Sequence, residues 1–238
     1  MDFNDTTNKT GLLQDCEMTV FGNYGDITGN TSRLQQFTAR INRACDQITS
    51  WILESDYRWQ WDDTNNTTLP IGTRSLVADQ QDYSFETEHI RVTRVELKDE
   101  TGAWKLLQPI DQADVYNQSL TDLLSASGLP QYYDKIANSI FLYPKPSYSQ
   151  ASSLKVYFQR NHTYFTTSDT TKKPGFASTF HRLASLLASL DYAIAKNLKI
   201  QNSLRLEVSN MKESLQDFLA MRGKDDKVRL QARIYNFR

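Results

Sequence analysis

Hydrophobic positions recur every three or four residues in three long stretches, which predicts three amphipathic helices. The first spans about 32–55 and opens at Thr31-Ser32, residue types that favour helix N-termini. The other two, about 177–198 and 201–222, follow each other closely and are expected to form a helical hairpin. Gly223, just past the last stretch, is a typical helix C-cap.

A different pattern fills the stretch 68–163, where short alternating or β-branched runs lie between prolines and glycines. It predicts a small, mostly antiparallel β module. In the run 90–97 the alternation breaks, which indicates a bulge or a twist, and 98–102 is typical of a hairpin turn. A short helix is expected at 110–116.

The order of these patterns predicts the α+β class: a helical bundle or hairpin core, an inserted small antiparallel β module, and extended N- and C-terminal arms. The N-terminal stretch is rich in Asn, Asp, Thr and Gly, so at most a short helix is expected in it. The predicted divisions are a flexible N-terminal arm (1–30), the first part of the helical domain (31–67), the β module (68–163), the helical hairpin that completes the helical domain (164–222), and a C-terminal docking arm (223–238).

The C-terminal arm mixes basic and apolar side chains without a clean period. A segment whose only role is to keep the protein soluble would not need these apolar side chains. Two interpretations follow: the arm packs back on its own chain, or it extends, docks into a partner and orders there, for instance by adding a strand. We favour docking, and the candidate partner-binding residues are Lys224, Lys227, Arg229, Arg233, Ile234, Tyr235, Phe237 and Arg238.

The composition narrows the classes of function. In 238 residues, the charges of 27 Lys and Arg nearly cancel those of 28 Asp and Glu. This balance argues against a protein that binds nucleic acid through a large net positive charge. No apolar run reaches the roughly 18–20 residues of a membrane span, and acidic residues stand where a signal peptide would be basic. Cys16 and Cys45 fit a reducing compartment, and Cys45 falls on an apolar stripe, which indicates a core residue.

The sequence contains no arrangement typical of an active site. It has no glycine-rich phosphate loop and no Gly-x-Ser-x-Gly motif, and His89, His162 and His181 stand at no metal-ligand spacing. We expect His181 in the first turn of a helix or at an interface, and the aromatic run 57–61 in packing rather than in stacking on single-stranded DNA. The expectation is therefore no enzyme activity, no metal and no cofactor.

Several short motifs follow one another between about residues 31 and 222. In chain order they are Ser55-Asp56 with Trp59-Gln60-Trp61-Asp62, Trp104 through Pro109-Ile110-Asp111, Gly128-Leu129-Pro130-Gln131-Tyr132-Tyr133-Asp134, Ile140-Phe141-Leu142-Tyr143-Pro144-Lys145-Pro146, Leu154-Lys155-Val156-Tyr157-Phe158, and Pro174-Gly175-Phe176. Each is common turn or strand chemistry by itself. Their order and spacing resemble the head–tail connector (adaptor or head-completion) proteins of tailed bacteriophages, including the tail-tubular adaptor type of short-tailed phages.

The resemblance implies a structural protein of the virion neck, made in the cytoplasm of the bacterial host. It implies a homo-oligomeric ring of about twelve copies below the portal, with a lumen that DNA crosses without sequence-specific binding. The implied partners are the portal protein, which the C-terminal arm would enter or follow, a downstream tail or neck protein, and further copies of this chain, with no membrane. The role of the N-terminal arm stays open. The alternative is another tail component, such as a tail-terminator or a sugar-binding tail module.

Overall fold

The chain divides into two compact units, one formed by Met1–Trp59 with Tyr164–Arg238 and the other by Gln60–Thr163. The first unit is helical and the second is built from strands, so the fold is α+β, as predicted. The computed structural model describes residues 1–55, 71–84, 89–110, 122, 125–136, 139–160 and 162–222.

The long helices begin and end close to the positions that the hydrophobic period predicts. The second of the three predicted helices starts at residue 181 rather than 177, because Ser178–Phe180 form a 3-10 turn that leads into it. The helices of this unit are α1 (Leu12–Val20), α2 (Thr31–Ser55), α3 (His181–Ala195) and α4 (Gln201–Arg222).

Helix α3 lies at the centre of the helical unit and contacts α1, α2 and α4. Every residue from 183 to 189 is buried, so these two turns of the helix are enclosed on all sides rather than along one stripe. Ala184, Ser185 and Ala188 carry small side chains, which allow neighbouring helices to approach closely. The other helices of this unit therefore pack around α3.

The N-terminal stretch 1–30 is packed, and the prediction of a flexible, extended arm there is wrong. Phe3 and Ile27 are fully buried, as are the leucines that open α1. The Phe3 ring stacks on Phe165 at 4.6 Å between centroids, and the Phe3 N–H donates to the carbonyl oxygen of Lys172 at 2.8 Å. These partners lie more than 160 positions away along the chain, so no local pattern indicates them.

A buried carboxylate organises the loop that follows α1. Oε1 of Glu17 accepts the Ile27 N–H at 2.9 Å, the Thr28 N–H at 2.7 Å and the Thr28 hydroxyl at 2.9 Å. Burial by itself raises the pKa of Glu17, but these donors and the Gly25 N–H hold that pKa below its ordinary value. Gly25 has φ +94°, a conformation that side-chain-bearing residues rarely adopt.

The N-terminal amine meets the first residue of α3. The Met1 ammonium donates to Nδ1 of His181 at 2.7 Å, and Nε2–H of the same ring donates to the carbonyl oxygen of Phe176 at 2.9 Å. Both contacts are satisfied only by the neutral ring with its proton on Nε2. Burial, as the larger cause, and the positive N-terminus together lower the pKa of His181 to about 4.

The β unit contains two four-stranded sheets and one two-stranded pair. The first sheet is antiparallel throughout, in the order β1-β10-β3-β4, and the second runs β2-β8-β7-β5 with one parallel pair, β5 and β7. Strands β6 and β9 pair in parallel. The strands are β1 (Ile71–Leu76), β2 (Asp82–Ser84), β3 (His89–Lys98), β4 (Trp104–Leu106), β5 (Gln108–Pro109), β6 (Ser127–Gly128), β7 (Tyr132–Ile136), β8 (Ser139–Tyr143), β9 (Lys145–Pro146) and β10 (Gln150–Arg160).

Side chains from both four-stranded sheets form one core. Val95 and Val156 come from the first sheet, and Ile140 and Leu142 from the second. Residues on alternate positions of these strands therefore face each other, as expected for half-buried antiparallel sheets.

Two local predictions for the β unit are confirmed. The register of β3 against β10 shifts between Tyr157 and Phe158, opposite the run whose alternation breaks. In the turn after β3, Gly102 has φ +86° and Oδ1 of Asp99 accepts the N–H groups of Thr101 and Ala103. The short helix expected at 110–116 falls almost entirely outside the described residues.

We predict that Glu17→Ala lowers the free energy of unfolding by about 1–3 kcal/mol, because two backbone N–H groups of the following loop lose their buried acceptor. Urea unfolding followed by circular dichroism measures this. Glu54→Ala, at the exposed end of α2, is the matched control and should stay within about 0.5 kcal/mol of the parent. Equal effects of the two substitutions would contradict the role given to Glu17.

We predict that stability falls as the pH drops from 6.5 to about 4, because the unfolded chain protonates His181 before the folded chain does. The contribution is complete above pH 6.5 and lost as the pH falls through the folded value. His181→Gln, whose amide can still accept from Met1, should flatten this slope by up to about 1.4 kcal/mol per pH unit. Urea midpoints across the window measure it, and an unchanged slope would refute the assignment.

Candidate interaction surfaces

The residues that the sequence singles out for partner binding all follow Arg222 and lie outside the described residues. The docking role of the C-terminal segment therefore stays a prediction. The aromatic run 57–61 is likewise outside the described part of the chain, and so is the side chain of His89.

The cysteine and histidine side chains that the structure describes are all buried. Cys16 and Cys45 are free thiols in the core, and burial raises the pKa of Cys16 to about 12 and that of Cys45 as well. Neither thiol therefore reacts as a thiolate near neutral pH, which confirms Cys45 as a core residue. Within the described ranges no cluster of three His, Cys, Asp or Glu side chains could hold a metal ion. None of the described helices is long and apolar enough to span a bilayer.

The helical unit carries an open groove of about 480 Å³ between α2, α3 and α4. We call it the basic groove. Its floor is mainly apolar and combines small, aliphatic and aromatic side chains from all three helices. These floor residues are Ala44, Trp51, Leu187, Leu190, Ile194 and Val208.

Both walls of the basic groove carry cations. Arg40 and Arg43 stand on α2, and Arg205 and Lys212 stand on α4 across from them. The single acid among the lining residues is Asp191 of α3, so the lining has a formal charge of four minus one, or +3. The chain as a whole has a formal charge of −1, which makes the groove a local exception.

Asp191 holds the α2 wall in place. Its Oδ2 pairs with Nη1 of Arg40, and Nη2 of Arg43 lies 3.7 Å from the same oxygen. The Arg40 guanidinium also lies 5.5 Å from the centre of the Tyr192 ring, and its side chain is only 15% exposed. Arg40 is therefore fixed, whereas Arg43, 68% exposed, remains available to a ligand.

The α4 wall is tied to α2 by an aromatic contact. Nζ of Lys212 lies 4.5 Å from the centre of the Trp51 ring. A cation over the face of an indole is attracted to its π electrons. Lys212 thereby places a positive charge over an apolar side chain of the groove lining.

An apolar floor between cationic walls is suited to an amphipathic segment that carries acidic side chains. The floor would take up its apolar side chains, and the walls would pair with its carboxylates. Within the lining there is no histidine, cysteine or pair of carboxylates placed for acid–base chemistry. The groove is therefore a candidate interaction surface for such a segment.

A second surface lies on the outer face of the first sheet. Trp104 is 37% exposed, and Nζ of Lys155 and of Lys98 lie 4.1 Å and 5.0 Å from the centre of its ring. A sugar-binding site needs a free aromatic face. Two ammonium groups already contact the Trp104 ring, so this surface gives little support to the alternative of a sugar-binding tail module.

The basic groove was not predicted from the sequence. Arg40 and Arg43 appear there only as part of the polar side of an amphipathic helix, and Arg205 and Lys212 belong to a helix read separately. The sequence indicates the groove only in part. Arg40 and Arg43 are three positions apart, and Arg205 and Lys212 are seven apart, so each pair lies on one face of its helix. Which faces meet depends on packing.

Comparison of the sequence with protein-family models and with curated proteins gives no match.

We predict an energetic coupling of about 0.5–1 kcal/mol between Arg40 and Asp191 in a double-mutant cycle with Arg40→Met and Asp191→Asn, measured by urea unfolding. Arg40 is mostly shielded from water, so its pair is screened less than an exposed one. The control cycle uses Arg33 and Asp26, 39% and 36% exposed, and should give a smaller coupling. A larger coupling for the control pair would contradict the role of Asp191.

Proposed function

We propose that this protein is a structural head–tail adaptor of a tailed bacteriophage. It forms a ring below the portal, extends the DNA channel and joins the capsid to the tail. It acts by assembly and catalyses no reaction.

The observation that carries this proposal is the division of the helical unit along the chain. Met1–Trp59 and Tyr164–Arg238 form one unit, and Gln60–Thr163 form a β unit between them. A helical core interrupted by a β module is the organisation that the resemblance to connector proteins implies. The ordered motifs in the sequence add to this support.

The distribution of charge is compatible with the role. A channel protein must not hold DNA tightly, because each phosphate that Lys or Arg neutralises strengthens binding. The near-neutral chain meets this requirement, and a local excess of cations in the described part of the chain lies in a groove with an apolar floor. Such a groove favours a protein segment over a bare phosphate backbone.

In this proposal the three long helices build the ring wall, and the C-terminal segment anchors each subunit on the portal. Lys227, Arg229 and Arg233 would supply charge, and Ile234, Tyr235 and Phe237 would supply apolar contact. Coupled ordering of such a segment costs free energy but lets it follow an extended partner surface.

We predict that truncation after Gly223 leaves a folded, soluble protein that no longer joins portal rings. Native mass spectrometry of the full chain mixed with portal rings should show addition of about twelve copies, and the truncated chain should add none. Circular dichroism and thermal unfolding establish that both chains are folded.

A full-length variant separates the anchor from chain length. Ile234→Ser with Tyr235→Ser and Phe237→Ser should lose most of the binding, because the apolar contacts are removed while the segment remains. Lys199→Glu, at an exposed position between α3 and α4, is the control and should bind as the parent does. Unimpaired portal binding by the truncated chain would overturn the anchoring role, and absence of binding by the full chain would overturn the adaptor function.

A further inference from the structure

The outward face of α4 presents a continuous row of exposed side chains. At 3.6 residues per turn, positions 206, 210, 213, 217 and 221 fall on one side of the helix, opposite the buried positions 208, 215 and 219. Leu206 and Met221, each 64% exposed, stand at its two ends. We call this row the α4 stripe; its residues are Leu206, Asn210, Glu213, Asp217 and Met221.

The α4 stripe is acidic and apolar. Glu213 and Asp217 stand one turn apart at its centre, and none of its five residues is basic. Two cations of the same helix, Arg205 and Lys212, line the basic groove instead. On this helix Arg205 and Lys212 thus lie on a different surface from Glu213 and Asp217.

The two surfaces complement each other in charge and in the kind of contact that they offer. The groove lining carries +3 and the stripe −2. The groove has an apolar floor that includes Ile194, 48% exposed, and the stripe has an exposed apolar side chain at either end. Along α2 the groove extends about 16 Å from Arg40 to Trp51, and the stripe is about 22 Å long.

The chain's own C-terminal segment is a poor occupant for this groove. Between Lys224 and Arg238 it carries five Lys or Arg and two Asp, so it has the same sign of charge as the groove. Like charges brought together at an interface oppose binding. The occupant should be acidic, and the α4 stripe of a second copy meets that requirement.

We infer that the α4 stripe of one copy docks into the basic groove of the next copy. Glu213 and Asp217 then face Arg43 and Lys212, and the apolar ends of the stripe contact the groove floor. The contact that we infer runs head to tail and is therefore heterologous: in a pair, one copy keeps a free stripe and the other a free groove for a further neighbour. Repetition closes a ring if the rotation permits and otherwise extends a filament.

The inference deepens the proposed function, on which it rests for the closed ring. The head–tail adaptor needs a lateral contact that repeats around an axis, and this pair of surfaces supplies one. The contact between copies itself follows from the charges of α2 and α4 and is tested without the portal.

Two charge-reversed chains test the contact. The groove variant carries Arg43→Glu and Lys212→Glu, and the stripe variant carries Glu213→Lys and Asp217→Lys. Sedimentation velocity over a concentration series should show oligomers larger than dimers for the parent and monomers for each variant, with association weakened about tenfold or more. The parent's assembly should also weaken between 0.1 M and 1 M salt, where the Debye length falls from about 10 to about 3 Å.

Mixing the two variants distinguishes this contact from any symmetric one. In an equimolar mixture the intact stripe of the groove variant fits the intact groove of the stripe variant, and the lysine-bearing stripe fits the glutamate-bearing groove, so oligomers larger than dimers should form in which the two variants alternate. A chain with all four substitutions has both charges exchanged and should regain oligomers. Lys9→Glu with Lys199→Glu, exposed lysines outside both surfaces, is the control for added negative charge and should assemble as the parent does.

Circular dichroism and thermal unfolding identify any variant that fails to fold. In that case the test is whether the chain with all four substitutions forms oligomers again. Parent-like assembly of either folded variant would overturn the inference, and so would a parent that stays monomeric with and without portal rings. Loss of assembly in the groove variant alone would also overturn it, because the groove would then receive a different acidic segment. If the chain self-assembles as expected but does not bind portal rings, the proposed adaptor function is overturned and the inferred contact between copies is not.

Discussion

The enclosure of α3 is the constraint on which the helical unit depends. A helix that is buried on every side must present small residues wherever a neighbour crosses closely, and Ala184, Ser185 and Ala188 do so among larger leucines. Three other helices contact it. The positions of these helices follow from how α3 is covered.

The same constraint produces the basic groove. Helix α3 is fully covered from 183 to 189, but Ile194 in its last turn is half exposed. The flanking helices α2 and α4 therefore leave part of α3 open, and their polar sides become the groove walls. Asp191 fixes one wall by pairing with Arg40, which leaves the more exposed Arg43 to meet a ligand.

The N-terminal segment shows why local patterns underestimate order. It has few apolar residues, and two of its buried side chains, Gln14 and Glu17, are polar. Burial of polar groups is tolerated only where hydrogen bonds replace those to water. Gln14 donates to the side-chain oxygen of Asn4, and Glu17 accepts from the loop that follows α1. Composition alone favours disorder there because it does not reveal these partners.

The sequence by itself determined the α+β class, the three long helices with close bounds for the first and the last, the strand run 90–97 with its irregularity, and the turn at 98–102. Each depends on a periodicity of apolar positions or on turn chemistry within a few residues, and such signals are local. Only the tertiary structure decided that the N-terminal segment packs on residues around 165–185 and that cations of α2 and α4 face one another across α3. Contacts between residues more than 100 positions apart depend on which faces meet, and one sequence records each face but not its neighbour.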